Sequence, residues 1–255
     1  MIIYISSGSF PGGTGAINAA LRNNEIDVAI ILTEGIIKDI IAGNPSKIVQ
    51  TYVHSPLIWG IHVDANSSYQ SIEDLKNTKA AISRMGSGSH LMAYINAEKL
   101  HWDTKSLEFE IVGDINGAVN ALSKDSAQYF MWERFTTKPL VDNGTFRRVG
   151  ECPTPWPCFV IAVREEVLEN QKDAVREMLK VINTNTISFK EIPDVESLLA
   201  KKYDQKLEDI KEWLEITSWS ESQLTAEEIE NIQNHLLSLN LIPEKLATSK
   251  LIYNL

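Results

Sequence analysis

The chain has 255 residues, 44% of them hydrophobic and 23% charged, and a formal net charge of −10. That length fits one large domain or two of roughly 120 residues, and the acidic balance argues against nucleic acid or an anionic membrane as a general partner. The longest apolar runs, such as Ile26–Leu32, fall well short of the ~20 residues of a spanning helix, which excludes direct membrane insertion.

The start, Met1-Ile2-Ile3-Tyr4, has neither a basic stretch nor a long apolar one, so no signal peptide is read there. This places the chain as written in the cytoplasm, or in the periplasm or outside the cell if the true start lies upstream. Ile2–Ser6 is strand-like and leads into Gly12-Gly13-Thr14, after which Ala16, Ile17, Ala20 and Leu21 repeat on one helical face. Ile26–Leu32 is an apolar, β-branched run expected of a parallel strand covered on both faces. Thr33-Glu34-Gly35 forms the next turn, and Ile36, Ile37, Ile40 and Ile41 repeat at helical spacing until Gly43-Asn44-Pro45 stops them.

Strands follow at Ile48–Val53 and Leu57–Val63. Ser71-Ile72-Glu73-Asp74 has the form of a capping box. Ala80–Ser83 is a short strand that ends at the turn Gly86-Ser87-Gly88-Ser89-His90, from which a helix runs to about Leu100. Leu107, Phe109 and Ile111 alternate with Glu108 and Glu110 as a half-exposed strand. Asn116–Ser123 reads as a helix, and Gln128–Trp132, Phe146–Val149 and Cys158–Val163 read as strands. Beyond Arg164 the pattern is helical to the end, over about 165–191, 194–203, 206–214 and 225–239. The βα alternation predicts mainly parallel sheets with right-handed crossovers.

Three small-residue turns thus sit between a strand and a helix. In an open α/β sheet that is where ligands bind, with bare N–H groups at positive helix ends facing them. The candidate ligand-binding residues are Gly12, Gly13, Thr14, Thr33, Glu34, Ser87, Gly88, Ser89 and His90. Trp132 and Glu133 join them at the end of a strand, where the Trp ring either stacks on a planar ligand or belongs to the core. Gly12 to Thr14 equally suit a plain tight turn, and Thr33 with Glu34 a helix cap and first-turn acid. Trp59 reads as core, and Trp156 as either core or site. No catalytic or metal-binding constellation is read: hydrolase elbow, zinc-protease and P-loop motifs are missing, and the five histidines are scattered. Cys152 and Cys158, a C-x5-C pair across prolines, read as structural thiols.

Ser71-Ile72-Glu73-Asp74-Leu75-Lys76-Asn77-Thr78-Lys79-Ala80-Ala81-Ile82 resembles an element of the type II periplasmic-binding-protein-like family, in the branch that binds nitrate, sulfonates, taurine and thiamine precursors. Asn77 stands where that element usually has Gly, and Asn also tolerates the left-handed backbone. Ala19-Ala20-Leu21, then Glu25-Ile26-Asp27-Val28-Ala29, is similar to a second family element, and Ser83–Ser89 occupies the place of its second ligand loop. The resemblance implies a two-lobed α/β fold with a helical C-terminal region. Lobe 1 is residues 1–55 plus 150–255, and lobe 2 is residues 56–149, the two closing on a ligand. It implies a small-molecule ligand, an organic anion or heterocycle such as a sulfonate or thiamine-pyrimidine precursor, with no cofactor, and an ABC-transporter permease as a partner. It also implies that a first strand and helix of lobe 1 are missing ahead of Met1. An enzyme of thiamine-precursor synthesis and an intracellular ligand sensor are the alternatives; the former's dense cysteine cluster has no counterpart here.

Overall fold

A computed structural model of the chain describes residues 13–255. The strand expected at Ile2–Ser6 and the candidate Gly12 lie outside the described residues. The chain forms two compact units: unit 1 takes residues up to Ser55 and from Trp156 onward, and unit 2 takes Pro56–Pro155.

Unit 1 begins with α1 (Gly13–Arg22), β1 (Val28–Leu32), α2 (Thr33–Ile41) and β2 (Ser46–Val53). In unit 2, β3 (Ile58–Asp64), β4 (Lys79–Ile82), α3 (Gly88–Lys99) and β5 (Glu108–Ile111) precede α4 (Ile115–Ser123), β6 (Tyr129–Glu133), α5 (Lys138–Asp142) and β7 (Phe146–Pro153). The chain then re-enters unit 1 as β8 (Phe159–Arg164), α6 (Glu165–Asn170), α7 (Lys172–Ser188), α8 (Val195–Tyr203), α9 (Leu207–Ile216), α10 (Ala226–Ser238) and α11 (Thr248–Leu251).

Among the described residues the sheet of unit 1 has the order β1-β8-β2, and both pairings are antiparallel. β8 is central, which explains why its run Val160–Val163 is apolar without alternation: both faces are covered. Val49, Ile161 and Val163 pack there against Val167, Leu168, Val175 and Leu179 of α6 and α7. β1 departs from expectation. Its burial alternates, and Ile30 is 43% exposed, so this apolar run is not covered on both faces.

The sheet of unit 2 has the order β5-β4-β6-β3-β7. β4 runs parallel to β5 and β6, whereas β3 runs antiparallel to β6 and β7. The expectation of mainly parallel sheets is therefore corrected among the described residues. It assumed that every strand returns through a helix, but the long strands β3 and β7, paired from Asp64↔Phe146 to Ile58↔Pro153, lie side by side at one edge of the sheet, and β3 runs against both its neighbours. The small side chains of α4, Ala118 and Ala121, let that helix close on Ala81, Phe130 and Phe146.

Local chemistry explains several boundaries. Asp74 accepts hydrogen bonds from the Gln70 and Ser71 amides at 2.8 and 2.9 Å, and these hold its carboxyl below the usual range. Asn77 adopts φ +63°, the left-handed backbone anticipated for it. Thr225 and Glu228 form a reciprocal capping box at the start of α10. α5 escapes the sequence pattern because it is a five-residue helix with Pro139 in its first turn, where a proline is tolerated. No helix among the described residues is long and apolar enough to cross a membrane.

Candidate functional site

The candidate residues fall into two groups, one in each unit. In unit 1, Thr33 and Glu34 open α2 rather than forming a turn ahead of it. The Thr33 hydroxyl donates to the Pro157 carbonyl at 2.6 Å, and its amide donates to the Cys158 carbonyl at 3.1 Å. Glu34 is buried, and its Oε2 accepts the indole N–H of Trp156 at 2.9 Å. Burial pushes the Glu34 carboxyl up from its ordinary value; its own backbone amide, the Trp156 bond and Lys38 pull the other way but weigh less. Trp156 is itself buried and meets His235 edge-on at 5.5 Å. Gly13 is exposed at φ +64°, and Thr14 lies against Gly35 so closely that a Cβ there would sit 2.3 Å from Thr14 Cγ2. The polar atoms of Thr33 and Glu34 are thus engaged by unit 1 itself.

The group in unit 2 is built differently. β4 delivers Ser83 to a turn whose Gly86 has φ +72°, and Ser87 then caps α3 by accepting the His90 amide at 3.3 Å. Ser89 accepts the Ser83 amide at 3.0 Å, and its hydroxyl lies 3.1 Å from that of Ser87 and 3.4 Å from that of Ser83. Three hydroxyls therefore converge at the positive end of a twelve-residue helix. The backbone N–H groups of Gly88 and Ser89 have no acceptor among the described residues, as the geometry of a helix start requires.

His90 is engaged by its neighbours. Its Nδ1 accepts the Gly86 amide at 3.1 Å, and its ring packs edge-on against Tyr94 at 5.1 Å and Phe109 at 4.7 Å. Trp132 is half-buried, stacked on Phe130 at 5.3 Å and edge-to-face with Trp59 at 6.3 Å. The Glu133 carboxylate is occupied by the turn after β6, accepting the Phe135 amide at 3.0 Å and the Thr136 amide at 2.8 Å. The fold thus brings together Ser87, Gly88 and Ser89, with Trp132 joined to them through Trp59. Two contributors lay outside the candidate residues, although Ser83 belongs to the loop that the family resemblance marks. Ser83 sits one turn before the motif and shares its hydrogen bonds. Trp59 touches the helix start, since a Cβ on Gly88 would lie 2.9 Å from its Cη2. An apolar strand pattern gives no signal for such a contact.

The family model described as "Ca3427-like PBP" matches residues 59–152, which is nearly all of unit 2. No curated protein matches the chain. Among solved structures, a Candida albicans CA3427 gene product with the generic periplasmic-binding-protein fold is 24% identical, with a TM-score of 0.83 over 96% of this chain and 85% of that one. The alkanesulfonate-binding protein SsuA from Xanthomonas axonopodis pv. citri, bound to MOPS, is 15% identical, with a TM-score of 0.80 over 96% and 86% of the two chains. The periplasmic aliphatic sulphonate-binding protein SsuA from Escherichia coli is 18% identical, with a TM-score of 0.73 over 96% and 80%. The chain therefore has the α/β fold of the periplasmic binding proteins.

Proposed function

We propose that this protein binds a small organic anion, of which a sulfonate is the leading example, without turning it over. The observation that carries this reading is the start of α3. Two unengaged backbone N–H groups and the hydroxyls of Ser83, Ser87 and Ser89 meet there at a positive helix end. Two of the structural neighbours are named for binding alkane- or aliphatic sulfonates, which supports the class. Hydrogen bonds to a charged group contribute about 1.5–3 kcal/mol each. Association costs at least about 4 kcal/mol, so three such bonds fall short of the roughly 8 kcal/mol of micromolar binding. Apolar contact must supply the remainder, which favours an organic anion over bare sulfate.

Native mass spectrometry of freshly purified protein, followed by thermal shift with sulfonates, carboxylates and pyrimidines, tests the reading. A co-purified small molecule and a ligand-dependent rise in melting temperature are expected, because a ligand that binds only the folded state stabilises it by mass action. A flat thermal profile across the panel and no bound mass would overturn it. Hand-over of the ligand to an ABC-transporter permease is a further part of this reading, checked by ligand-dependent capture of the permease.

A further inference from the structure

Trp59 is 95% buried, with a relative exposure of 5%, and its indole N–H has no hydrogen-bond partner among the described residues. A buried donor left unmade costs about 1–3 kcal/mol, so a native fold keeps one where something else engages it. The position of this ring says what. Its Cη2 and Cζ2 edge lies against Gly88, the first residue of α3, at 2.9 and 3.1 Å from where a Cβ would stand. Nε1 is one ring carbon from Cζ2, which sets the unengaged donor close to the helix start. The glycine keeps the indole there: any side chain at position 88 would displace it.

We propose that Trp59 is a specificity-determining residue of the α3 site, its indole N–H donating to an oxygen of the bound anion. We further assign the ligand class as an oxyanion on a flat, apolar ring. The inference rests on the binding function proposed above and adds to it the donor and the ring. The ring follows from the neighbours of the donor. Trp59 and Trp132 meet edge-to-face with planes 72° apart, and Phe130 stacks on Trp132 at 19°, so the ring that touches Gly88 continues into an aromatic row. Trp132 keeps part of its surface exposed, whereas Trp59 is closed in. Aromatic pairs of this kind add affinity beyond the area they bury. A short alkyl chain gains less from such a row than a ring does.

Calorimetry with benzenesulfonate, methanesulfonate and inorganic sulfate on the full chain tests the proposal, beside indole N–H resonances of protein labelled with 15N-tryptophan. Benzenesulfonate is expected to bind tightest and to shift the Trp59 indole proton on saturation. Trp59→Phe, which keeps an aromatic ring and deletes the donor, should weaken it about tenfold. Trp132→Leu should weaken benzenesulfonate more than methanesulfonate. Equal affinity in wild type and Trp59→Phe, with the indole proton unmoved on saturation, would overturn the role of Trp59 and leave the binding function standing. Methanesulfonate binding as tightly as benzenesulfonate would overturn the ring. If no oxyanion binds the wild type, the binding function falls and this inference with it. Should Trp59→Phe fail to fold, the indole proton of the wild type decides alone.

Discussion

The helix start of α2 in unit 1 and that of α3 in unit 2 carry similar small polar residues and are hydrogen-bonded differently. At α2 the Thr33 and Glu34 side chains are used internally: Thr33 on Pro157, and Glu34 on Trp156. At α3 the hydroxyls cluster, and among the described residues two amides and a buried indole donor have no acceptor. Strand–turn–helix patterning alone therefore does not tell the two helix starts apart; what differs among the described residues is how the side chains around each start are hydrogen-bonded.

The largest expected effect tests whether the two units respond to pH with opposite sign. In unit 2, His62 is fully buried, with Nδ1 3.3 Å from the Phe130 carbonyl and Nε2 2.9 Å from the Thr137 hydroxyl. Desolvation, with Arg148 assisting, lowers its pKa from 6.5 to about 4. A lowered histidine stabilises the fold above 6.5, and that stability drains away as pH falls toward 4. A shift of this size amounts to about 3 kcal/mol. Glu34 in unit 1 has the reverse sign: its raised carboxyl favours the fold below the ordinary 4.5 and loses that advantage as pH rises through its folded value. Denaturant melts from pH 7 to 4, with hydrogen exchange to tell the units apart, should show unit 2 weakening first. His62→Gln should remove that fall. Glu34→Gln, whose amide oxygen still accepts from Trp156, should be at least as stable as wild type at pH 7. A pH dependence unchanged by His62→Gln would refute the assignment.

The next effect down separates the helix starts directly. Gly88→Val forces a branched side chain into the edge of Trp59 and should cost about 2 kcal/mol of unit 2 stability by overpacking. Ligand affinity should fall more than tenfold with it, since the proposed site rests on the same atoms. Its counterpart Thr33→Val keeps the volume but removes the donor to Pro157, and should cost about 1 kcal/mol. Affinity should stay within twofold of wild type, and a collapse of binding in Thr33→Val would bring α2 into the α3 site. At the small end, Ser67→Ala loses only a half-buried bond to the Asp64 carbonyl and should leave binding untouched in the same titration.

Much of this architecture was legible in the sequence. The element order followed from apolar periodicity, and Asn77 as a left-handed residue followed from local chemistry that tertiary packing did not override. Strand direction did not follow, because the apolar content of β3 and β7 says that they are buried and not which way they run. The site was legible in part. Ser87-Gly88-Ser89 announced itself as a small-residue turn and Ser83 lies in the same loop, but Trp59 reaches it only through packing between residues far apart in the chain. The bonds that close Glu34 and Glu133 were equally out of reach. A carboxylate after a strand looks the same in sequence whether it meets a ligand, an indole or the next turn.

The central claim is that the start of α3 holds an organic oxyanion. Its most direct test is a 15N-amide titration of the wild-type protein with benzenesulfonate, following each backbone N–H. The Gly88 and Ser89 amide protons should move downfield together and saturate at the affinity measured by calorimetry, with Thr33 and Glu34 shifting far less. Saturable binding that leaves the Gly88 and Ser89 amides in place would contradict the account.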